Sequence, residues 1–222
     1  MPTQTAGKWQ GAVVALFCGS LILFVSLGIR HAFGLFLQPV TMDQGWGRET
    51  FAFAIALQNL VWGFSQPFAG MLSDRFGARP VVASGALLYG LGLWVMSQVA
   101  GEVVFIFGAG VLIGLGLSGT TFPVIFGAIS RLVAPQQRSF AMGITMSVGS
   151  FGQFAMLPIS LGLITGLEWQ SALLVLSILA ILMFPLAFGI RSELPSTSFA
   201  AEDVSFTQAL RDAFGMRDFW LL

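Results

Sequence analysis

Charge is what this 222-residue chain has least of. Lys and Arg number 10, Asp and Glu number 10, and together they make up 9% of the sequence, with no formal net charge. A soluble domain carries about 25% charged residues, so these charges cannot keep a body of this size wet. Without a basic surplus there is no face for nucleic acid, and no nucleic-acid partner is expected. Cys18 is the single cysteine, which excludes a disulfide framework and a cysteine metal site. His31 is the single histidine. No nucleophile–base pair, metal-ligand cluster or phosphate-binding loop occurs, so the chain is not expected to be an enzyme and no cofactor is expected. The run Gly114-x-Gly116-x-x-Gly119 has dinucleotide-fingerprint spacing but lies inside an apolar stretch with no strand before it, so it is not read as a nucleotide site.

Apolar residues are abundant. They make up 56% of the chain, with 22 phenylalanines and 27 glycines, and glycine is commoner in transmembrane helices than in soluble ones. Six windows contain no charge: Gly11–Ile29, Thr50–Ser73, Pro80–Gly101, Val103–Ser130, Ser139–Leu167 and Trp169–Ile190. A bilayer core about 30 Å thick takes roughly 20 helical residues, so each window can cross once. The first is expected to run through Arg30 and His31 to about Pro39, because Ala32–Leu37 is apolar again. The runs are continuous rather than alternating, which argues for helices over a β-barrel.

The expected layout is a cytoplasmic segment 1–10 and a six-helix bundle over 11–190, with spans at about 11–39, 50–73, 80–101, 103–130, 139–167 and 169–190. A cytoplasmic linker over 191–218 and the start of a seventh helix at 219–222 follow, so the sequence reads as half of something larger. With the N-terminus inside, Lys8, Arg75, Arg79, Arg131, Arg138, Arg191, Arg211 and Arg217 all fall on the cytoplasmic side and Arg48 alone falls outside.

Polar residues divide the spans. The first carries Arg30, His31 and Gln38, the second Gln58, Asn59 and Gln66, the fourth Ser118, Thr120 and Thr121, and the fifth Ser147, Ser150 and Gln153. Polar groups in lipid must be satisfied internally, so these four spans are expected around a cavity, with the third and sixth as outer support. Arg30 stands out, because a mid-span arginine costs about 2.5–3.5 kcal/mol on insertion scales and marks a pathway. No acidic residue in the six windows can neutralise it. Arg30, His31, Gln58, Asn59 and Gln153 are the candidate substrate-binding residues. For His31 and the three amides, hydrogen bonding between helices is the competing reading. Pro67, Pro123 and Pro158 are expected to kink their helices.

Between the second and third spans stands Gly70-Met71-Leu72-Ser73-Asp74-Arg75-Phe76-Gly77-Ala78-Arg79-Pro80. Gly77 suits a tight turn, Pro80 suits the first turn of the next helix, and Asp74 is expected to pair with Arg75 or Arg79 or to face a helix N-terminus. The stretch resembles the loop signature of the major facilitator superfamily, Gly-x-Leu-x-Asp-Arg-x-Gly-x-Arg, with Gly70, Leu72, Asp74, Arg75, Gly77 and Arg79 in register. Pro80 departs from it where many members carry a basic residue. Gly28-Ile29-Arg30-His31-Ala32-Phe33-Gly34, Trp46-Gly47-Arg48 and Gly149-Ser150-Phe151-Gly152-Gln153 with Pro158 are similar to the monocarboxylate-transporter-like branch, which includes the oxalate/formate exchangers.

The resemblance implies a plasma- or inner-membrane, multi-pass fold of 12 helices in two halves, each built from two inverted three-helix repeats. It implies transport of a small organic anion by alternating access, with Gly70, Asp74, Arg75, Gly77 and Arg79 locking the inward side against a C-terminal half absent from this sequence. Drug efflux, carriage of a neutral solute, and a non-transporting helical scaffold or sensor are the alternatives.

Overall fold

The computed structural model describes residues 3–98 and 101–190. The expected linker at 191–218 and the seventh-helix start at 219–222 lie outside the described residues. Helix α1 spans Thr3–Ala32, so it begins within the segment expected as an N-terminal tail. A 3-10 turn at Phe33–Phe36 follows, then α2 at Leu37–Gln44, α3 at Arg48–Phe76 and α4 at Ala78–Ser97. The fourth span is α5 (Glu102–Ile106), a π-helical stretch at Phe107–Leu112, α6 (Ile113–Thr120) and α7 (Phe122–Leu132). A 3-10 turn at Pro135–Gln137 leads into α8 (Arg138–Gly166), and α9 (Trp169–Ile181) and α10 (Met183–Ala187) complete the described chain.

Five segments are long and apolar enough to cross a membrane: Gly11–Gln44, Ala78–Ser97, Glu102–Leu132, Pro135–Gly166 and Trp169–Ala187. The second expected span, α3, is 29 residues long, yet it is not among them. Gln58, Asn59 and Gln66 in its middle and charged residues at both ends lower its apolarity. Such a helix crosses only beside partners that satisfy those amides, and α3 packs against α4, α6 and the π-helical stretch.

The first span is one apolar segment, Gly11–Gln44, in which α1 continues through Arg30 and His31 to Ala32 and the 3-10 turn follows directly. One expected feature is corrected. Pro123 does not kink a continuous helix. Thr121 is extended (φ −113°, ψ −165°) and Pro123 sits in the first turn of the new helix α7, where its missing N–H leaves no bond unmade. Pro67 and Pro158 do lie inside α3 and α8.

With little hydrophobic drive between helices in lipid, close backbone approach and interhelical hydrogen bonds hold the bundle. Glycines make the approaches. A Cβ on Gly152 of α8 would stand 2.3 Å from Phe24 O of α1, and one on Gly28 would stand 2.7 Å from Gly152 O. Gly85 of α4 and Gly116 and Gly119 of α6 meet in the same way, as do Gly92 and Gly108. The glycines of the false dinucleotide fingerprint are therefore packing residues. Buried Tyr89 of α4 donates its hydroxyl to Ser26 O of α1 (2.9 Å), and Ser177 of α9 donates to Gly90 O of α4 (2.8 Å). Helices α4 and α9 lean on each other and leave Leu87, Leu91, Trp94, Ile178 and Ile181 exposed as an apolar outer face.

Candidate functional site

Arg30 and His31 occupy the last turn of α1, where the helix dipole favours a cation. The interruption after Ala32 thus places the guanidinium at a helix end within the span, an environment less hostile than mid-helix. The side chain is half-buried. Its Nη2 donates to Asn59 Oδ1 of α3, and its Cζ lies over the Trp62 ring, 4.7 Å from the centroid. Its Nε is buried with no hydrogen-bond partner. Among the described residues the ion pair found is Arg131–Asp74, so Arg30 is held by one neutral oxygen and one aromatic ring.

Asn59 and Trp62 lie three apart on α3 and so share a face. Each is fixed from behind. Asn59 Nδ2 donates to Ile55 O (2.9 Å), and Trp62 Nε1 donates to Thr121 Oγ1 (3.1 Å) at the break in the fourth span. Thr121 in turn donates to Leu117 O (2.7 Å), and Ser26, one turn before Arg30 on α1, donates to Thr120 O (3.2 Å). The ends of two broken helices and the middle of α3 therefore meet around one cation. Discontinuous helices of this kind line transporter binding sites, with their free termini aimed at charged groups.

The five candidate residues are not equivalent. Arg30 and Asn59 touch. Gln58 is 1% exposed and donates to Ala109 O (2.8 Å) in the π-helical stretch, where a widened turn offers a carbonyl to an outside donor. Its Nε2 thus bonds between helices, while its Oε1 is buried with no hydrogen-bond partner. His31 is exposed and Gln153 half-buried. A cleft of about 460 Å³ between α1 and α8 is lined by Val13, Leu16, Leu132, Phe140 and Ile144. Val13 is 17 residues from Arg30, roughly 25 Å along a helix, so that cleft is distinct from the arginine.

At one end of the bundle, Gly77 turns the chain with φ +87°, which a side chain resists. Asp74 pairs with Arg131 at the end of α7, a partner in another span that the sequence did not suggest beside Arg75, Arg79 or a helix N-terminus. The turn at Gly77 splits α3 from α4 and leaves Asp74 level with the neighbouring span instead. Arg79 reaches across to Phe188 after α10, donating to its carbonyl (3.3 Å) and lying 5.8 Å from its ring centroid. Arg75 lies over the ring of Phe76. No atom lies within 4 Å of where a Cβ on Gly70 would stand, so nothing among the described residues requires glycine there. At the opposite end, Asp43 accepts from Trp169 Nε1 (3.2 Å) and Gln170 Nε2 (3.3 Å), tying α2 to the start of α9.

This arrangement has counterparts. The sequence model of the Major Facilitator Superfamily matches residues 15–222. The chain belongs to the Major Facilitator Superfamily. It is 28% identical over 182 residues to monocarboxylate transporter 13 of Rattus norvegicus, covering 81% of this chain and 41% of that protein. It is 33% identical over 145 residues to the multidrug resistance protein MdtH of Cronobacter sakazakii, covering 65% of this chain and 33% of that protein. The inward-open xylose transporter XylE from E. coli superposes with a TM-score of 0.62 at 17% identity, over 96% of this chain and 54% of that one. The last likeness concerns the fold. The chain spans less than half the length of the curated relatives named here.

As a Major Facilitator chain it is a multi-pass membrane protein with half of that fold. Its two triplets of spans echo each other. α3 and α8 are each 29 residues, and their prolines fall 19 residues after Arg48 and 20 after Arg138. The first span of each triplet is broken, at Phe33–Phe36 and at Thr121, and the sixth span also divides, between α9 and α10. Sequence reasoning missed Trp62 and named Thr121 only among the polar residues of a cavity-facing span, not as the point where that span breaks. The signal for Thr121 was Pro123 two residues on; for Trp62 it was the three-residue spacing from Asn59.

Proposed function

We propose that the chain forms one six-helix wall of a secondary transporter that carries a small organic anion by alternating access, with Arg30 binding the carboxylate. The observation that carries this reading is the state of Arg30: half-buried, oriented by Asn59 and Trp62, and without an ion-pair partner among the described residues. A buried charge needs a partner, and the anionic substrate or a second half supplies it. A guanidinium grips a carboxylate through two parallel hydrogen bonds, a geometry lysine cannot reproduce. Similarity to monocarboxylate transporters supports the same substrate class.

The charge distribution supports an orientation. Arg75, Arg79, Arg131 and Arg138 gather at the Asp74 end, whereas Asp43, Glu49, Glu102 and Glu168 share the other end with Arg48. Basic loops face the cytoplasm, so the Asp74–Arg131 pair closes the inner side. Gly70 and the exposed face of α8 then meet the second half.

The test is uptake of radiolabelled lactate into proteoliposomes holding the chain with its second half. Arg30→Lys weakens uptake and Arg30→Gln nearly abolishes it, while the amount of inserted protein stays constant. Wild-type uptake by Arg30→Gln overturns the anion reading. Similarity to MdtH supports a second reading, export of drug-like solutes, and in that case Arg30→Gln leaves export of a neutral dye unchanged.

A further inference from the structure

Trp62 joins two contacts of different kinds. Its ring lies against the Arg30 guanidinium, and its Nε1–H donates to Thr121 Oγ1. Thr121 is fully buried and extended, the residue at which the fourth span changes from α6 to α7. Its hydroxyl proton is committed to Leu117 O, so the oxygen is left to accept from the indole. An aromatic face holds a cation through its quadrupole without neutralising it. The ring therefore fixes where the charge stands and leaves that charge for an anion. A side chain that only filled space between α3 and α6 would need neither contact.

We propose that Trp62 is a positioning residue of the Arg30 site: its ring face sets the guanidinium in place for a carboxylate, and its N–H ties that place to the break between α6 and α7. The inference rests on the reading of Arg30 as the anion-binding residue. A carboxylate gripped by the guanidinium pulls it along or off the ring, and the indole passes that displacement to Thr121. The ring face governs affinity, and the Trp62–Thr121 hydrogen bond governs the step at which the fourth span moves.

The two roles separate by substitution. Trp62→Phe keeps a ring face and loses the N–H. Thr121→Val keeps the shape and loses the hydroxyl, and Trp62→Leu loses both contacts. With lactate as the probe in the same proteoliposomes, Trp62→Phe and Thr121→Val lower the maximal rate by a common factor and change half-saturation by less than about twofold. The double variant is no slower than either single one, because both remove the same bond. Trp62→Leu also raises half-saturation, by about tenfold. Should Trp62→Leu fail to insert, Trp62→Tyr, which keeps a ring face, must retain wild-type half-saturation.

Lactate binding that survives Arg30→Gln overturns the anion reading and this inference together. Binding lost in Arg30→Gln but unchanged in Trp62→Leu overturns the positioning role alone. So does a double variant whose rate loss is the product of the two single losses.

Discussion

Helices α3 and α8 occupy equivalent places in the two triplets and share a length of 29 residues and a late proline, yet α3 adds side-chain bonds to the glycine contacts that hold it. α3 reaches out. Gln58 bonds Ala109 O, Trp62 bonds Thr121, and Asp74 pairs with Arg131. α8 withdraws its side chains, so that Gly152 lies against the α1 backbone at Phe24 and Gly149 against the side chains of Leu23 and Leu27. Only 22% of the apolar window in the α8 segment is buried, against 61% for the first span. Polar side chains let α3 be displaced and re-bonded, because each bond is short, local and replaceable. The glycine seam admits one spacing, since backbone atoms cannot yield. α1 and α8 therefore meet backbone to backbone at their crossing, whereas side-chain hydrogen bonds join α3 to the broken fourth span beside Arg30.

The seam is the place to break this contrast first. Gly152→Leu puts a side chain into Phe24 O and cannot be absorbed by rotation, so it should prevent assembly or destabilise by more than the 1–3 kcal/mol or so of ordinary overpacking. Size-exclusion chromatography and thermal unfolding in detergent read this, and a monodisperse, wild-type-stable Gly152→Leu would end the rigid-seam account. Gln58→Leu comes next. It leaves Ala109 O without its donor and should cost about 0.6–1.7 kcal/mol, the range measured for hydrogen bonds between membrane helices, with folding intact. A loss as large as that of Gly152→Leu would erase the distinction between the two helices.

Asp74→Asn is expected to be smaller in stability. The Asp74 side chain is 66% exposed, and exposed ion pairs contribute about 0.2–1 kcal/mol. Its effect should show instead in accessibility, as faster labelling of a cysteine introduced at Ser130 by a thiol reagent. Unchanged labelling would argue that the pair is no latch. The smallest effect sharpens the comparison from inside α8. No atom lies within 4 Å of a Cβ at Gly143, so Gly143→Ala should be neutral or stabilise by up to about 1 kcal/mol through helix propensity. Clear destabilisation there would mean that glycine matters along all of α8 and not only at the α1 crossing.

Much of the fold was legible because the bilayer permits few solutions. Six charge-free windows of helical length leave a bundle as the outcome, and the Gly70–Arg79 pattern points to the family. Within the site, Arg30 was legible because a charge in an apolar run is conspicuous in any folded state. Asn59 was named but could not be told apart from Gln58, its neighbour in sequence. Adjacent helical residues point about 100° apart, so one meets the arginine and the other a backbone carbonyl. Composition alone cannot rank two amides.

The sequence by itself determined the class of protein, its helical character and the isolation of Arg30, since hydropathy and charge are properties of residues whatever their neighbours. Tertiary structure alone decided that Asp74 meets Arg131, that Trp62 lies beneath the guanidinium, and that Thr121 is where the fourth span breaks. Those contacts join residues 57, 32 and 59 positions apart. They depend on helix rotation and crossing distance, and these follow from where glycines let two backbones touch, a condition that neither helix can express alone.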